Sequence, residues 1–228
     1  MQTLIDYIIN NIEGGYYHPD MKEANPTKFA VMGISGETMY GLDRKNGAGS
    51  AVTNSDAGKK FWALIDQYYG NHHGDTSWYG DMADGKHVPA LVGQQLRQYT
   101  HEIISQMYNS YAGKYLSDGA WSVIMSSPQL QLQFLYAVWN GPAHFKTFAD
   151  LVNAAYSNGT RSAAALYQLV SDARRAKGGL FAIGADKLDK ICEDYLGGVP
   201  GTTGGDWWKW LLAGVGVFAF IKLLSKSK

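Results

Sequence analysis

The sequence predicts a mainly α fold: a helical α+β domain built around a small irregular or β-hairpin region, followed by a separate apolar helix at the C-terminus. Three observations carry this. Apolar residues recur at three- and four-residue spacing in successive stretches, which is one buried face of a helix. Residues 14–55 lack that period and are rich in Gly, Asn, Ser and Thr, too long a run for a plain connection. Residues 211–221 carry no charge at all. The 228 residues suffice for one sizeable core. Twenty Lys and Arg balance 20 Asp and Glu, which excludes the basic footprint of a nucleic-acid binder. One cysteine, Cys192, excludes an intramolecular disulfide framework and any CxxC metal site. Its flanks read as ordinary helix, so a buried, idle thiol is expected.

In chain order, Leu4, Ile5, Ile8, Ile9 and Ile12 form the apolar face of a first helix. Gly14 and Gly15 end it, since glycine takes the left-handed C′ conformation without a Cβ penalty. Within 14–55, Pro19 and Pro26 punctuate the chain and Phe29-Ala30-Val31-Met32 is a candidate strand. Asn54-Ser55-Asp56 supplies an N-cap for a helix bearing Phe61, Trp62, Leu64, Ile65, Tyr68 and Tyr69. Residues 70–87 read as loop. A longer helix spans about Val88 to Tyr108, with Leu91, Leu96, Tyr99, Ile103, Ile104 and Met107 facing inward. Ser127-Pro128 is an N-cap and N1 pair for a helix ending at Asn140-Gly141-Pro142, although alternation over Gln129–Gln133 makes a strand the competing reading. Three further helices cover 142–156, 160–177 and 184–196, separated by Asn158-Gly159 and Gly178-Gly179.

The organisation expected is one domain over 1–196, with halves 1–110 and 111–196, then a Gly-rich linker over 197–206 and an anchor over 207–228. Trp207 to Leu224 is 18 residues, with Trp207, Trp208 and Trp210 at one end and Lys222, Lys226 and Lys228 at or just beyond the other. That pattern predicts a single C-terminal transmembrane pass, its lysines on the cytoplasmic side. Met1-Gln2-Thr3 has no basic n-region, so no secretory leader is expected.

The chemistry centres on Glu13. In the last turn of the first helix it stands beside unpaired carbonyls, at the negative end of the macrodipole. That field disfavours its charge, and partial burial acts the same way. Both raise a carboxyl pKa, which a general acid working near neutrality requires. The alternative is a solvated glutamate at a helix end. Glu13-Gly14-Gly15-Tyr16, then His18-Pro19-Asp20, then Gly36-Glu37-Thr38-Met39-Tyr40-Gly41-Leu42 resembles the N-terminal motif of the family 108 glycoside hydrolases, phage and bacterial N-acetylmuramidases of lysozyme-like fold. Tyr108–Ala112, Phe134–Pro142 and Arg174-Arg175-Ala176 are similar to later segments of that family, so the resemblance covers roughly residues 5–190.

The resemblance implies that Glu13 donates a proton to the leaving glycosidic oxygen while an ionised Asp20 supports water or the oxocarbenium-like centre. It also implies that Thr38 hydrogen-bonds the water or the sugar, with inversion at the anomeric carbon. Tyr16, Tyr40 and Trp78 are candidates for stacking on sugar rings, with core packing as the alternative. Thr38 lies 25 residues beyond Glu13, later than in the family, which marks an insertion over about Met21 to Gly33. Counting back from Thr38 puts Gly33 where the family has its aspartate. Asp20 is the better second acid, with Glu37 and Asp43 as alternatives.

Other candidates carry less. His72-His73-Gly74-Asp75 matches no zinc spacing and reads as a solvated loop, so neither metal nor cofactor is expected. His87, His101 and His144 stand alone, and Asp172-Ala173-Arg174-Arg175 reads as a solvated helix face. The expected function is a membrane-anchored peptidoglycan hydrolase whose partners are glycan strands and, through residues 207–224, a lipid bilayer. A tether raises local concentration beside a wall polymer. This fits a phage virion protein, with other virion proteins as further candidate partners, that opens the wall locally during genome delivery; an endolysin held at the inner membrane is the close rival. An inactive structural or pore-forming virion protein and a lytic transglycosylase are the alternatives.

Overall fold

The computed structural model describes residues 1–29, 36–47 and 49–201. Within these the chain is mainly helical, with eleven α-helices, one 3₁₀ turn and a two-stranded antiparallel hairpin. Helix α1 (Gln2–Asn11) buries Leu4, Ile5, Ile8 and Ile9. Its end differs from expectation, because neither Gly14 nor Gly15 takes a positive φ. The N–H groups of Ile12 and Glu13 both donate to the Ile8 carbonyl, so the last turn widens rather than reversing. Gly15 is needed for another reason: a Cβ there would lie 2.2 Å from the Asp81 carbonyl oxygen.

The segment expected as loop or hairpin holds α2 (Pro19–Ala24), α3 (Pro26–Phe29), strands β1 (Thr38–Met39) and β2 (Leu42–Asp43), and α4 (Ala51–Asn54). Both prolines start helices here, since the N1 position needs no N–H. Of the expected Phe29–Met32 strand, Phe29 closes α3 and the rest lies outside the described residues. Helix α5 (Asp56–Tyr69) begins at Ser55, whose hydroxyl accepts from the Gly58 N–H, and it buries Phe61, Trp62, Ile65 and Tyr69.

Helix α6 (Ala90–Tyr115) runs longer than expected and buries Leu96, Ile103, Ile104 and Met107. Leu91 was expected inside but is 64 % exposed, because the first turn packs through Val92 and Gly93 instead. Helix α7 (Asp118–Met125) was not anticipated. Helix α8 (Pro128–Trp139) settles the 129–133 ambiguity in favour of helix. The alternation misled because every residue of α8 from Leu132 to Val138 is buried, so no polar face sets a helical period there. Helices α9 (Pro142–Ser157), α10 (Ala163–Lys177) and α11 (Gly179–Tyr195) follow, and α1, α6, α7, α9, α10 and α11 all pack on α8.

The solvated face expected over 172–175 is corrected at Arg174, which is fully buried. Its Nε donates to Gln133 Oε1 at 2.8 Å and a terminal nitrogen donates to the Gln133 carbonyl at 2.6 Å. The guanidinium also lies 4.4 Å from the Phe148 ring centre, and burial lowers its pKa to about 10. Cys192 is buried and free, as read from its flanks. Among the described residues no helix is long and apolar enough to cross a membrane; the expected anchor over 207–224 lies outside them.

Candidate active site

Glu13 is positioned by three strands of backbone. After α1 the chain runs extended through Gly15, Tyr16 and Tyr17. The Tyr16 N–H donates to the Asp81 carbonyl (2.9 Å), and the Gly80 N–H donates back to Tyr16 (2.8 Å). On the other side Tyr17 and Thr38 exchange two backbone hydrogen bonds of 2.9 Å, adding a third member to the β1–β2 hairpin. Asp81 is itself fixed: its carboxylate accepts from the Tyr69 hydroxyl at 2.7 Å and the Ala83 N–H at 2.8 Å, and its other oxygen meets His87 Nδ1 at 2.7 Å.

The hairpin turns over Tyr40 and Gly41, with φ of 52° and 72°. Two positive φ values at the centre of a two-residue loop match the twist of the flanking strands. For tyrosine this conformation is costly, and three contacts hold it. The Tyr40 hydroxyl donates to the Met82 carbonyl at 2.8 Å, Arg97 lies over the Tyr40 ring, and Trp139 Nε1 donates to the Tyr40 carbonyl at 2.9 Å. The turn thus joins the hairpin to the C-terminal end of α8. Gly41 then lies directly against the acid, since a Cβ there would be 2.2 Å from Glu13 Oε2.

Around this carboxyl is a cleft of about 280 Å³. Ile12, Glu13 and Gly41 form its floor, Tyr136, Trp139 and Asn140 from α8 one wall, and Leu180, Ile183, Gly184 and Lys187 from α11 the other. Leu180 and Ile183 are 79 % and 53 % exposed, leaving an apolar rim. The Glu13 carboxylate has no hydrogen-bond or ion-pair partner among the described residues. Burial raises its pKa to about 7, and the charge of Lys187 opposes the rise only in part. Lys187 Nζ donates to the Ile12 carbonyl at 3.4 Å, a cation at the negative end of α1. A protonated carboxyl in a half-open cleft beside aromatic and amide side chains is able to donate a proton to a bound ligand at neutral pH.

The other sequence-predicted residues do not converge on this cleft. Tyr16 and Tyr40 have no exposed surface, so neither ring is available to stack on a sugar; both expectations are corrected to packing. Tyr16 lies on Tyr69 (ring centres 4.4 Å apart) and donates its hydroxyl to Glu37 Oε1 at 2.9 Å. Trp78 lies away from the cleft, with the imidazoles of His72 and His87 stacked on it at 3.9 and 4.5 Å. Thr38 is buried in the hairpin. Asp20 is exposed in the first turn of α2 and 3.4 Å from His18 Nδ1. Of the alternative acids, Glu37 accepts from Tyr16 and from Arg44, while Asp43 accepts the N–H and side-chain amide of Asn46. Glu13 is therefore the one carboxylate lining the cleft among the described residues.

Tyr136, Trp139, Asn140, Gly41 and Lys187 line the cleft without having been candidates from the sequence. Phe134–Pro142 carried a weak signal, and nothing around Lys187 distinguishes it from any solvated lysine. A second grouping has no signature in the sequence: His18, Asp20 and His73 bring three ligand atoms within 4.8 Å of one another. No protein-family model, curated protein or solved structure matches this chain.

Proposed function

We propose that this protein is a peptidoglycan hydrolase in which Glu13 is the general acid for cleavage of the glycan β-1,4 bond, held at a membrane by residues 207–224. The observation that carries the reading is the Glu13 carboxyl: unpartnered, raised to about 7, and set in a cleft walled by Tyr136, Trp139 and Asn140. A glycosidic oxygen is a poor leaving group unless it is protonated as the bond breaks. A carboxyl that keeps its proton near neutrality supplies this, and aromatic walls with an amide suit a sugar ring and its hydroxyls. A phage virion protein acting during genome delivery remains the setting we propose for the tether.

Among the described residues, none of the cleft walls carries the second carboxylate of a muramidase. That absence favours one alternative in particular, a lytic transglycosylase, in which one glutamate serves as acid and then base and the sugar's own 6-hydroxyl closes the ring. Purified cell walls incubated with the full chain separate the cases. Loss of wall solubilisation by 10²- to 10⁴-fold in Glu13→Gln is the expected result for a general acid. Mass spectrometry of the fragments then distinguishes free reducing ends from anhydro ends. An active Glu13→Gln protein, or a folded wild-type chain that binds walls and releases nothing, overturns the enzyme reading.

A further inference from the structure

Four side chains meet on the face formed by the start of α2, the loop after α5 and the residue before β1. His18 is the N-cap of α2, and Asp20 lies in its first turn. His73 follows α5, and its imidazole is stacked on that of His18 with ring centres 3.8 Å apart and planes 7° from parallel. Glu37 approaches from below, with Oε1 3.7 Å from His73 Nε2. None of the four touches the Glu13 cleft.

We propose that His18, His73 and Asp20 form a binding site for a divalent transition-metal ion of the Zn²⁺ type, with Glu37 beside it. Zn²⁺ bonds to imidazole nitrogen and carboxylate oxygen are about 2.0–2.2 Å long, so adjacent corners of the tetrahedron are roughly 3.3 Å apart. His18 Nδ1 and Asp20 Oδ1 are 3.4 Å apart, already at that spacing, and His73 Nε2 and Glu37 Oε1 are close to it at 3.7 Å. The His18, Asp20 and His73 ligand atoms span at most 4.8 Å, so about 1.5 Å of closure brings the three to one ion. A second observation points the same way. His73 Nε2 is buried and makes no hydrogen bond among the described residues. A buried ring nitrogen without a partner costs free energy that an ion would recover.

The closure needed is small and specific. An imidazole lone pair lies in the ring plane, so two parallel rings cannot aim at one point, and one must turn about its Cβ–Cγ bond. That torsion is broad in histidine, and the His73 side chain is 36 % exposed, which leaves it room. His18 Nδ1 gives up its 3.2 Å hydrogen bond from the Asp20 N–H, a long contact to exchange for a metal bond. Glu37 is already engaged by Tyr16 and Arg44. It therefore orients the site from outside while water takes the fourth position. Three protein ligands with one open position is the arrangement of reactive rather than purely structural zinc sites. Asp20 then belongs to the ion and not to Glu13, consistent with its absence from the cleft lining.

The test is metal titration of the full-length protein in detergent after chelator treatment. Co²⁺ serves as the visible probe, Zn²⁺ as competitor, and elemental analysis gives stoichiometry. The expected result is one ion per chain, intense tetrahedral-type Co²⁺ bands bleached by Zn²⁺, and at least tenfold weaker binding in His18→Ala and His73→Ala. Asp20→Asn carries the same test on an exposed side chain whose loss spares the fold, and it too weakens binding at least tenfold. His72→Ala and Glu13→Gln retain full binding, which separates this site from its neighbours and from the proposed catalytic acid. Failure to bind one ion per chain, or binding that His73→Ala and Asp20→Asn leave unchanged, overturns the proposal.

Discussion

Glu13 links burial, protonation and stability in one side chain. Its carboxyl titrates near 7 in the folded chain against an ordinary 4.5, so between those values the folded state holds more protons than the unfolded. Stability is then fully present below about pH 4.5, falls as pH rises toward 7, and is flat above. The complete shift would be about 3.4 kcal/mol, and solvent at the cleft mouth reduces it to roughly 1–2 kcal/mol. Glu13→Gln is accordingly expected to melt a few degrees higher than wild type at pH 8 and level with it at pH 4, measured by calorimetry at both values. Wall cleavage should fall as pH rises through about 7, because the acid form is lost. Tyr16 gives the opposite kind of prediction. Its hydroxyl serves Glu37 inside the protein, so Tyr16→Phe should cost about 1–2 kcal/mol in denaturant unfolding and leave KM for wall fragments unchanged. A raised KM with unaltered stability would return Tyr16 to the binding surface.

At the scale of elements, the Tyr40-Gly41 turn decides whether α1 and α8 share a site. Gly41 meets two demands at once, a positive φ and room for the Glu13 carboxylate. Gly41→Ala should therefore destabilise the fold by about 1–3 kcal/mol and push Glu13 out of place. We expect wall cleavage to drop at least tenfold in protein that still folds cooperatively by circular dichroism. The period-3.6 stripes of α1, α5 and α6 were legible because each helix has a wet side and a dry side. Helix α8 was ambiguous because Leu132 to Val138 are buried on every side, so no wet face sets a period, while Gln129, Gln131 and Gln133 mimic strand alternation. Gln133 is inside only because Arg174, 41 residues later, needs its oxygens. Local pattern has no access to a pairing of that range, and for the same reason Arg174 read as solvated.

At the scale of the whole molecule, residues 1–201 and the apolar C-terminal segment carry different parts of the proposed function. Buried side chains from α1 to α11 form one continuous core, so the cleft is assembled from both ends of the chain. Wall-side and membrane-side functions are then separable on the reading proposed. The full chain should float with liposomes of bacterial lipid composition, whereas a chain ending at Gly201 should stay in the aqueous fraction with its melting temperature unchanged. Equal flotation of both would remove the tether from the proposal.

The sequence by itself determined the helical class, the order of the main helices and the suspicion attached to Glu13, because apolar period, caps and glycine breaks are local properties of the chain. Only the tertiary structure decided what surrounds Glu13. Gly41, Trp139, Asn140 and Lys187 line the cleft around it from segments far apart in the chain, and their convergence comes from packing on α8. The same holds for His18 and His73, whose stacking depends on how the loop after α5 folds back. Tyr16 and Tyr40 were misjudged for a related reason: the residue type fits both a sugar platform and a core, and only the solvent exposure left after folding tells them apart.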